Sequence, residues 1–461
     1  MMSALAARLG GWQRGSANGR VLSAAAIVAV FTLATRLAGA AKEIVVAQRF
    51  GTSDEVDAFL LAFLLPSFAM SVIGGSLSTA LIPAYVEVRQ REGQAAAQRL
   101  LSTVMLLCIG LLAGAALILA SLVPALVPLI GSSFSPSKLQ LTAELSYLLL
   151  PCLVLTGVAT IWSAVLNAHG SFAPGAAAAM AVPLAIIVVL LLAGSVLGIR
   201  ALPVGLLAGS GVHAALVGIA LHHEGLRLLP RWGGFTPEAR HVMGQYLPMA
   251  AGMLVMELNP VINTVMAARL PAGSVASLGY GNKLVAFGVG IGSVSIGAAV
   301  LPHFSSMVAR RDWRGLRGTI RTYALAVLAV TIPVTALGMA LSEPIARLLY
   351  QRGAFTSADT LQVARIQLCY LAQLPFHLAG MLFVRFISAV SSNRALMWVS
   401  MATALVNVAG NYVLSGYLGA AGIALATSLV YAFTFAVTLL YSRRKLRLLE
   451  RSGLPRAEAT A

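Results

Sequence analysis

Long apolar segments recur along the whole chain, and most of them are joined by short polar connections. About 20 mostly apolar residues are enough to cross the hydrocarbon core of a bilayer as a helix. Only 10% of the 461 residues are charged and 59% are hydrophobic, whereas about a quarter of a soluble domain is charged. The pattern predicts an all-α membrane protein with about 12 transmembrane helices. Their predicted bounds are 22–49, 55–87, 100–126, 139–168, 174–195, 201–222, 240–268, 274–308, 317–342, 358–388, 394–414 and 417–442.

The net charge of +17 is concentrated in alternate connections between the predicted helices. An excess of Lys and Arg marks cytoplasmic connections, so both termini are predicted to be cytoplasmic. The excess of positive charge is then explained by membrane topology and by attraction to anionic lipid, and it does not indicate nucleic-acid binding. A removable signal peptide is not expected, because the basic start of the chain leads into a long apolar segment without a cleavage-like site. The basic clusters are Arg89, Arg91 and Arg99; Arg227, Arg231 and Arg240; Arg310, Arg311, Arg314, Arg317 and Arg321; and Arg443, Arg444, Lys445, Arg447 and Arg451.

Two halves of six predicted helices each resemble one another. Arg49 and Pro83 in the first half match Arg269 and Pro302 in the second, within one residue of spacing. Because six is an even number, the halves enter the membrane in the same orientation and form a parallel repeat around a central cavity. The predicted order is a cytoplasmic N-terminal segment at 1–21, an N-terminal lobe at 22–222, a cytoplasmic linker at 223–239, a C-terminal lobe at 240–442 and a basic cytoplasmic tail at 443–461.

The first predicted helix carries the ionisable residues Arg36, Lys42 and Glu43. A charge at the bilayer centre costs about 3 kcal/mol on insertion scales, so such residues normally face protein or water. Arg36 and Glu43 share one helix face, and Lys42 points away from it unless the helix bends at Gly39. Two explanations are open: the charges line a watery cavity, or Lys42 and Glu43 snorkel while Arg36 pairs with a neighbouring helix. Lys283 has the same two explanations.

A second polar group comes from the C-terminal half. Glu257 is followed by Asn259, Pro260 and Asn263, and the proline frees a backbone carbonyl. Carboxylate and neutral oxygens together suit a hard cation, while interhelical hydrogen bonds are the alternative, which the residues by themselves favour. Two further pairs lie four residues apart and share helix faces: Asn407 with Asn411, and Ile423 with Thr427.

No spacing typical of catalysis is evident, so an enzyme is not predicted. The histidines are isolated on different predicted helices, and Cys108, Cys152 and Cys369 fall within apolar segments as small hydrophobic residues. No nucleotide-binding domain is visible. Transport by this chain would therefore draw on an ion gradient, the membrane potential or the gradient of the substrate itself.

A resemblance to a known family rests on four stretches: TRLAGAAKEIVVAQRFG, DAFLLAFLLP, INTVMAARLPAGSVASLGYGNKL and RLLYQRGAFTSADT. They resemble the lipid II flippase family (MurJ or MviN) of the multidrug/oligosaccharidyl-lipid/polysaccharide exporter superfamily. The similarity extends from about Val21 to Tyr441. It implies a multi-pass protein of the bacterial cytoplasmic membrane that moves an undecaprenyl-diphosphate-linked saccharide by alternating access, in peptidoglycan biosynthesis and the maintenance of cell shape.

The resemblance also implies a substrate-binding set. Arg36, Lys42 and Lys283 match cationic cavity positions that meet the diphosphate, with lysine in place of arginine twice. Met70 and Ser71 stand where the second helix of the family usually bears arginine, which implies an altered headgroup site because arginine binds a diphosphate through a planar fork. The set is completed by Glu43, by Asp57 at the acidic position of the DAF motif and by Asn282 where an aspartate is common.

Some members are implied to bind sodium through an acidic residue on the seventh helix and oxygens on the eleventh and twelfth. The matching positions here are Glu257, Asn407, Asn411, the carbonyl of Ile423, and Thr427. The resemblance thus favours a sodium site over simple hydrogen bonds. No other cofactor is expected.

The expected partners are a lipid-linked saccharide diphosphate and membrane lipids, without nucleic acid, and the chain is expected to act as a monomer. Many members carry two further helices beyond the twelve predicted here, and we expect a twelve-helix core, which keeps a flippase for exopolysaccharide or O-antigen precursors as an alternative. A cation-coupled drug antiporter of the same superfamily is a second alternative, although it would favour acidic and aromatic cavity residues. A membrane glycosyltransferase would need an acidic motif in a large outer loop, and none is visible.

Overall fold

The computed structural model describes residues 17–390 and 392–452. Helices make up most of this part of the chain and are joined by short turns, except for a longer irregular connection at 224–236. The described residues contain no strand. The all-α prediction is therefore confirmed. The predicted segments 1–21 and 443–461 lie partly outside the described residues. In chain order the helices are α1 (Ala17–Phe50), α2 (Asp54–Ala69), α3 (Ser76–Glu92), α4 (Gln94–Ile130), α5 (Pro136–Ala168), α6 (Phe172–Ala178), α7 (Ala181–Leu197), α8 (Ala201–His223), α9 (Pro237–Ala267), α10 (Ser274–Ala309), α11 (Trp313–Ala340), α12 (Ser342–Tyr350), α13 (Ser357–Leu371), α14 (Leu374–Ala389), α15 (Asn393–Leu418) and α16 (Ala420–Ser452).

Nine helical stretches in the described residues are long and apolar enough to cross a membrane. One of them, Phe172–His223, contains two of the predicted helices. The two predicted helices outside these stretches, 22–49 and 274–308, lie within α1 and α10. Each predicted segment thus coincides with helix. The number of membrane crossings and the cytoplasmic position of the termini stay predictions.

Two predicted helices are interrupted for local reasons. The segment predicted at 55–87 contains a π-helical turn at Met70–Gly75, which separates α2 from α3. The segment predicted at 358–388 breaks between α13 and α14, just before Pro375. Proline has no backbone N–H to donate and is favoured in the first turn of a helix, which is where Pro375 lies in α14. Other prolines, such as Pro66 and Pro83, lie inside helices that continue through them. The connection after α11 contains a short amphipathic helix, α12.

The chain divides into two compact units: unit 1 is Met1–Val46 with Ala58–Glu257, and unit 2 is Ala47–Asp57 with Leu258–Ala461. The division falls within α9 and assigns the turn after α1 to unit 2. The predicted lobe boundaries at 222 and 240 do not describe this division, and they stay predictions of the membrane topology.

Unit 1 is built around a core of α3, α4, α5 and α8. Tyr85, Met105 and Cys108 are among its fully buried side chains. Gly205 and Gly209 on α8 face α7 so closely that a methyl group on either would lie 2.7 Å from a backbone atom of that helix. This spacing of small residues lets two apolar helices pack backbone against backbone.

The connection at 223–239 packs on α4 of unit 1. The side-chain amide of Gln98 donates to the carbonyl of Arg227 and accepts from its N–H, both at 3.1 Å. The hydroxyl of Thr103 donates to the carbonyl of Gly234 at 3.4 Å. These bonds satisfy backbone groups of an irregular segment, so the segment is attached to unit 1 along its length.

Unit 2 has its own apolar core, formed by α10, α11, α14 and α16. Phe304, Leu316, Leu382 and Phe386 are fully buried in it. Since each unit buries a separate set of large side chains, each has the packing of a distinct body.

Candidate functional site

Two charged residues of α1, Lys42 and Glu43, form an ion pair that the helical spacing does not predict. The Lys42 Nζ lies 2.7 Å from the Glu43 Oε1, and the side chains are only 24% and 15% exposed. The two residues are neighbours in sequence, yet their long side chains bend toward one another. Part of the positive charge of Lys42 is therefore balanced within unit 1, while Arg36 is exposed.

The π-helical turn is a site feature that the sequence analysis missed. It contains Met70 and Ser71, the positions at which the resemblance leads us to expect arginine. A π-turn inserts one residue into an α-helix, rotates the residues after it about the helix axis, and is frequent at functional sites. The signals that could have predicted it are Pro66 upstream and the pair Gly74 and Gly75 at its end.

Lys283 and Asn282 lie side by side in the N-terminal third of α10, and both are exposed. They belong to unit 2, whereas Arg36, Lys42 and Glu43 belong to unit 1. Each unit thus contributes part of the predicted substrate-binding set, and the meeting of these residues around one headgroup stays a prediction.

Asp57 fixes the N-terminus of α10. Its carboxylate is 1% exposed, and its oxygens accept hydrogen bonds from the backbone N–H groups of Gly273 and Ala276, both at 2.8 Å. A carboxylate here satisfies donors that have no partner inside the helix and lies at the positive end of the helix dipole. The sequence analysis did not foresee this because the partners are more than 200 residues apart. Direct contact of Asp57 with substrate stays a prediction.

The turn after α1 is held in unit 2 by more than Asp57. The N–H of Ala354 donates to the carbonyl of Gln48 at 2.8 Å, the Tyr280 hydroxyl donates to the carbonyl of Gly51 at 3.3 Å, and the Thr52 hydroxyl donates to Asp359. We call this group, residues 47–57 with their partners on α10 and on the loop 351–359, the turn junction.

Aromatic side chains pack beneath the turn junction. The ring of Tyr280 lies 5.1 Å from that of Tyr350 and 5.6 Å from that of Phe355, between centroids. Phe355 is 2% exposed and belongs to the stretch RLLYQRGAFTSADT. All four stretches that carry the family resemblance therefore meet at this junction. The DAF stretch takes part through Asp57.

A network of amide groups lies inside unit 2. The Nδ2 of Asn411 donates to the Oδ1 of Asn263 at 2.7 Å and to the Oδ1 of Asn407 at 3.2 Å. The Nδ2 of Asn263 donates to the hydroxyl of Thr427 at 3.0 Å, which donates to the carbonyl of Ile423 at 3.0 Å. The structure thus brings together four of the five residues of the predicted sodium site.

Asn263 is the residue of this network that the sequence analysis did not assign to it. Its position six residues after Glu257 was visible, but its connection to α15 and α16 was not. Glu257 belongs to unit 1, so its approach to the network stays a prediction. No group of three or more His, Cys, Asp or Glu residues that could hold a metal occurs in the described part of the chain.

A family model described as lipid II flippase MurJ matches residues 46–456. Among curated relatives, the probable lipid II flippase MurJ of Synechocystis sp. is 25% identical over 453 residues, covering 95% of this chain and 84% of the relative. The lipid II flippase MurJ of Burkholderia cenocepacia is 26% identical over 424 residues, covering 86% and 79%.

Solved structures show the same fold. A lipid II flippase MurJ in an inward closed conformation superposes with a TM-score of 0.77, at 23% identity and 93% coverage of both chains. An inward-facing multidrug resistance MATE family transporter of the MOP superfamily superposes with a TM-score of 0.75, at 14% identity, covering 92% of this chain and all of that one. The family model covers both compact units, so the resemblance is confirmed over nearly the whole chain. The chain belongs to the lipid II flippase MurJ family.

Proposed function

We propose that this chain translocates lipid II, an undecaprenyl-diphosphate-linked saccharide of peptidoglycan biosynthesis, across the membrane by alternating access. The observation that carries the proposal is the match of the family model to residues 46–456. Family membership also makes the chain a multi-pass protein of the bacterial inner membrane and a transporter, not an enzyme. Peptidoglycan synthesis needs such a step because the polar headgroup cannot cross the hydrocarbon core unaided.

The diphosphate is the part of the substrate that demands specific chemistry. Arg36, Lys42 and Lys283 supply positive charge to it, while the lipid tail stays in the bilayer. Arg36 contributes most, because its guanidinium offers a planar fork to phosphate oxygens whereas an ammonium is a point charge. Lys42 contributes less, because Glu43 balances part of its charge at 2.7 Å.

Complementation of a flippase-depleted bacterial strain tests these roles. Loss of a charged hydrogen bond costs about 1.5–3 kcal/mol, or about ten- to hundredfold in affinity, so Arg36→Ala is expected to abolish growth while the protein still accumulates in the membrane. Lys42→Ala is expected to weaken growth less. Arg91→Ala is the matched control in unit 1, because Arg91 forms an exposed ion pair with Glu87 that contributes little to stability. Full rescue by Arg36→Ala would contradict the proposal.

One observation favours a second candidate, a flippase for another undecaprenyl-diphosphate glycan. Met70 and Ser71 replace expected arginines at a π-turn, so the headgroup site differs from the family pattern. Native mass spectrometry of the purified chain with lipid II and with exopolysaccharide or O-antigen precursors separates the candidates by which lipid stays bound.

The expected partners of the chain are its lipid-linked substrate and the surrounding membrane lipids. We expect no nucleic-acid binding, because the basic clusters fall in alternate connections, where they orient a membrane protein. That the chain acts as a monomer stays a prediction. Sodium coupling through Glu257 and the amide network is what the resemblance implies, but hydrogen bonds within the network already occupy most of its oxygens.

A further inference from the structure

The hydroxyl of Thr427 sets the direction of every hydrogen bond in the amide network. It has one proton, which it donates to the carbonyl of Ile423 one helical turn earlier. With that proton so placed, its oxygen accepts from Asn263, whose NH2 group faces it, and the Tyr370 hydroxyl also bonds to Thr427. The carbonyl oxygen of Asn263 then faces Asn411, so that Asn411 must present its own NH2 group in turn. The orientation of each amide is thus fixed by that of its neighbour.

The NH2 group of Asn411 consequently lies between two carbonyl oxygens. Its two protons point at the Oδ1 atoms of Asn263 and Asn407, at N···O distances of 2.7 and 3.2 Å. Both asparagines of α15 in this network are buried, with exposed fractions of 1% for Asn407 and 0% for Asn411. Neutral oxygens facing one another in a buried site need a positive partner between them. Here the amide protons supply it.

The residues present do not fit a bound sodium ion in this arrangement. A hard cation takes several oxygen ligands, yet the Oδ1 atoms of Asn263 and Asn407 already accept from Asn411, and Thr427 and Ile423 are bonded to each other. The Oδ1 of Asn411 is the one oxygen of these side chains without a hydrogen-bond partner in the described residues. A single neutral oxygen is not a cation site.

We propose that the NH2 group of Asn411 replaces a bound cation in this chain, so that the network holds α9, α15 and α16 together without sodium. The inference concerns binding within unit 2 and does not rest on the proposed function. It accounts for an asparagine, not a carboxylate, at this position. An aspartate there would bring negative charge against two carbonyl oxygens, and a cation is the partner that we expect to balance it.

Thermal unfolding of the purified full-length chain in detergent tests the proposal, in sodium chloride, potassium chloride or choline chloride at equal ionic strength. The melting temperature of the wild type is expected to be the same in all three salts within about 1 °C, because the amide network binds no sodium. Asn411→Asp is expected to melt lower in choline and to gain about 3 °C or more in sodium, because a ligand that binds only the folded state stabilises it.

Asn411→Leu is the matched control, because it removes the same two hydrogen bonds without adding charge. It is expected to melt below the wild type equally in all three salts. A saturable, sodium-specific rise in the wild type would overturn the proposal, and so would an Asn411→Asp protein that ignores sodium. If Asn411→Asp does not accumulate, the wild-type titration decides by itself. The measurement reads binding, so a failure of the flippase assignment would leave its outcome unchanged.

Discussion

At the scale of single residues, Asp57 is a stability determinant of α10. Asp57→Asn is expected to lower the free energy of unfolding by about 1–3 kcal/mol, because an amide offers one acceptor where the carboxylate satisfies two buried N–H groups. Thermal melting in detergent measures the effect. Glu55→Gln is the control: Glu55 lies in the same first turn of α2 but is exposed, and its replacement should change melting little. If the two variants melt at the same temperature, the hydrogen bonds from Gly273 and Ala276 to Asp57 do not stabilise α10.

The polar residues of the site could be found from the sequence, but their contacts with distant residues could not. The charges of α1 and the asparagines of α15 are visible as unusual polar residues in apolar helices. The partners of Asp57 and the connection from Asn263 to Thr427 are not, because each bond joins positions more than 150 residues apart. Helical periodicity relates only residues within a few turns, and it cannot reveal such pairs.

At the scale of elements, the turn junction depends on a glycine in the loop between α12 and α13. Gly353 has a φ of +60°, and a methyl group there would collide with the backbone carbonyl of Gln48. Gly353→Ala is expected to cost about 1–2 kcal/mol for the left-handed conformation and a further about 1–3 kcal/mol for the collision.

Gly419→Ala separates these two costs. Gly419 belongs to the same unit and has a φ of +58°, but nothing lies within 4 Å of the added methyl group. Its alanine variant should show only the conformational cost in a melting experiment. If both variants melt at the same temperature, the close approach of the loop to Gln48 contributes nothing to stability.

The elements themselves are well predicted by the sequence, since apolar length predicts helix wherever a membrane must be crossed. The exceptions have local causes that hydropathy does not register. Pro375 restarts a helix inside one apolar segment, and the turn at Met70–Gly75 keeps helical hydrogen bonding while changing its period.

At the scale of the whole molecule, the sequence pattern predicts the class of fold and the resemblance predicts the family, and both are confirmed. The division into units is less accessible. The repeat places a boundary in the linker at 223–239. The compact units instead divide within α9, and residues 47–57 belong to unit 2. The turn at 47–57 belongs to unit 2 because of its contacts with α10 and the loop 351–359. The hydropathy of the sequence does not predict these contacts.

We propose that this chain moves a lipid-linked diphosphate saccharide with the help of Arg36. The most direct test is transfer of fluorescent lipid II between leaflets of proteoliposomes under an imposed membrane potential, read by an impermeant quencher. We expect the wild-type chain to expose lipid II that protein-free vesicles keep protected, and Arg36→Ala to reduce that rate at least about tenfold. Equal rates with the wild type, with Arg36→Ala and without protein would contradict the account.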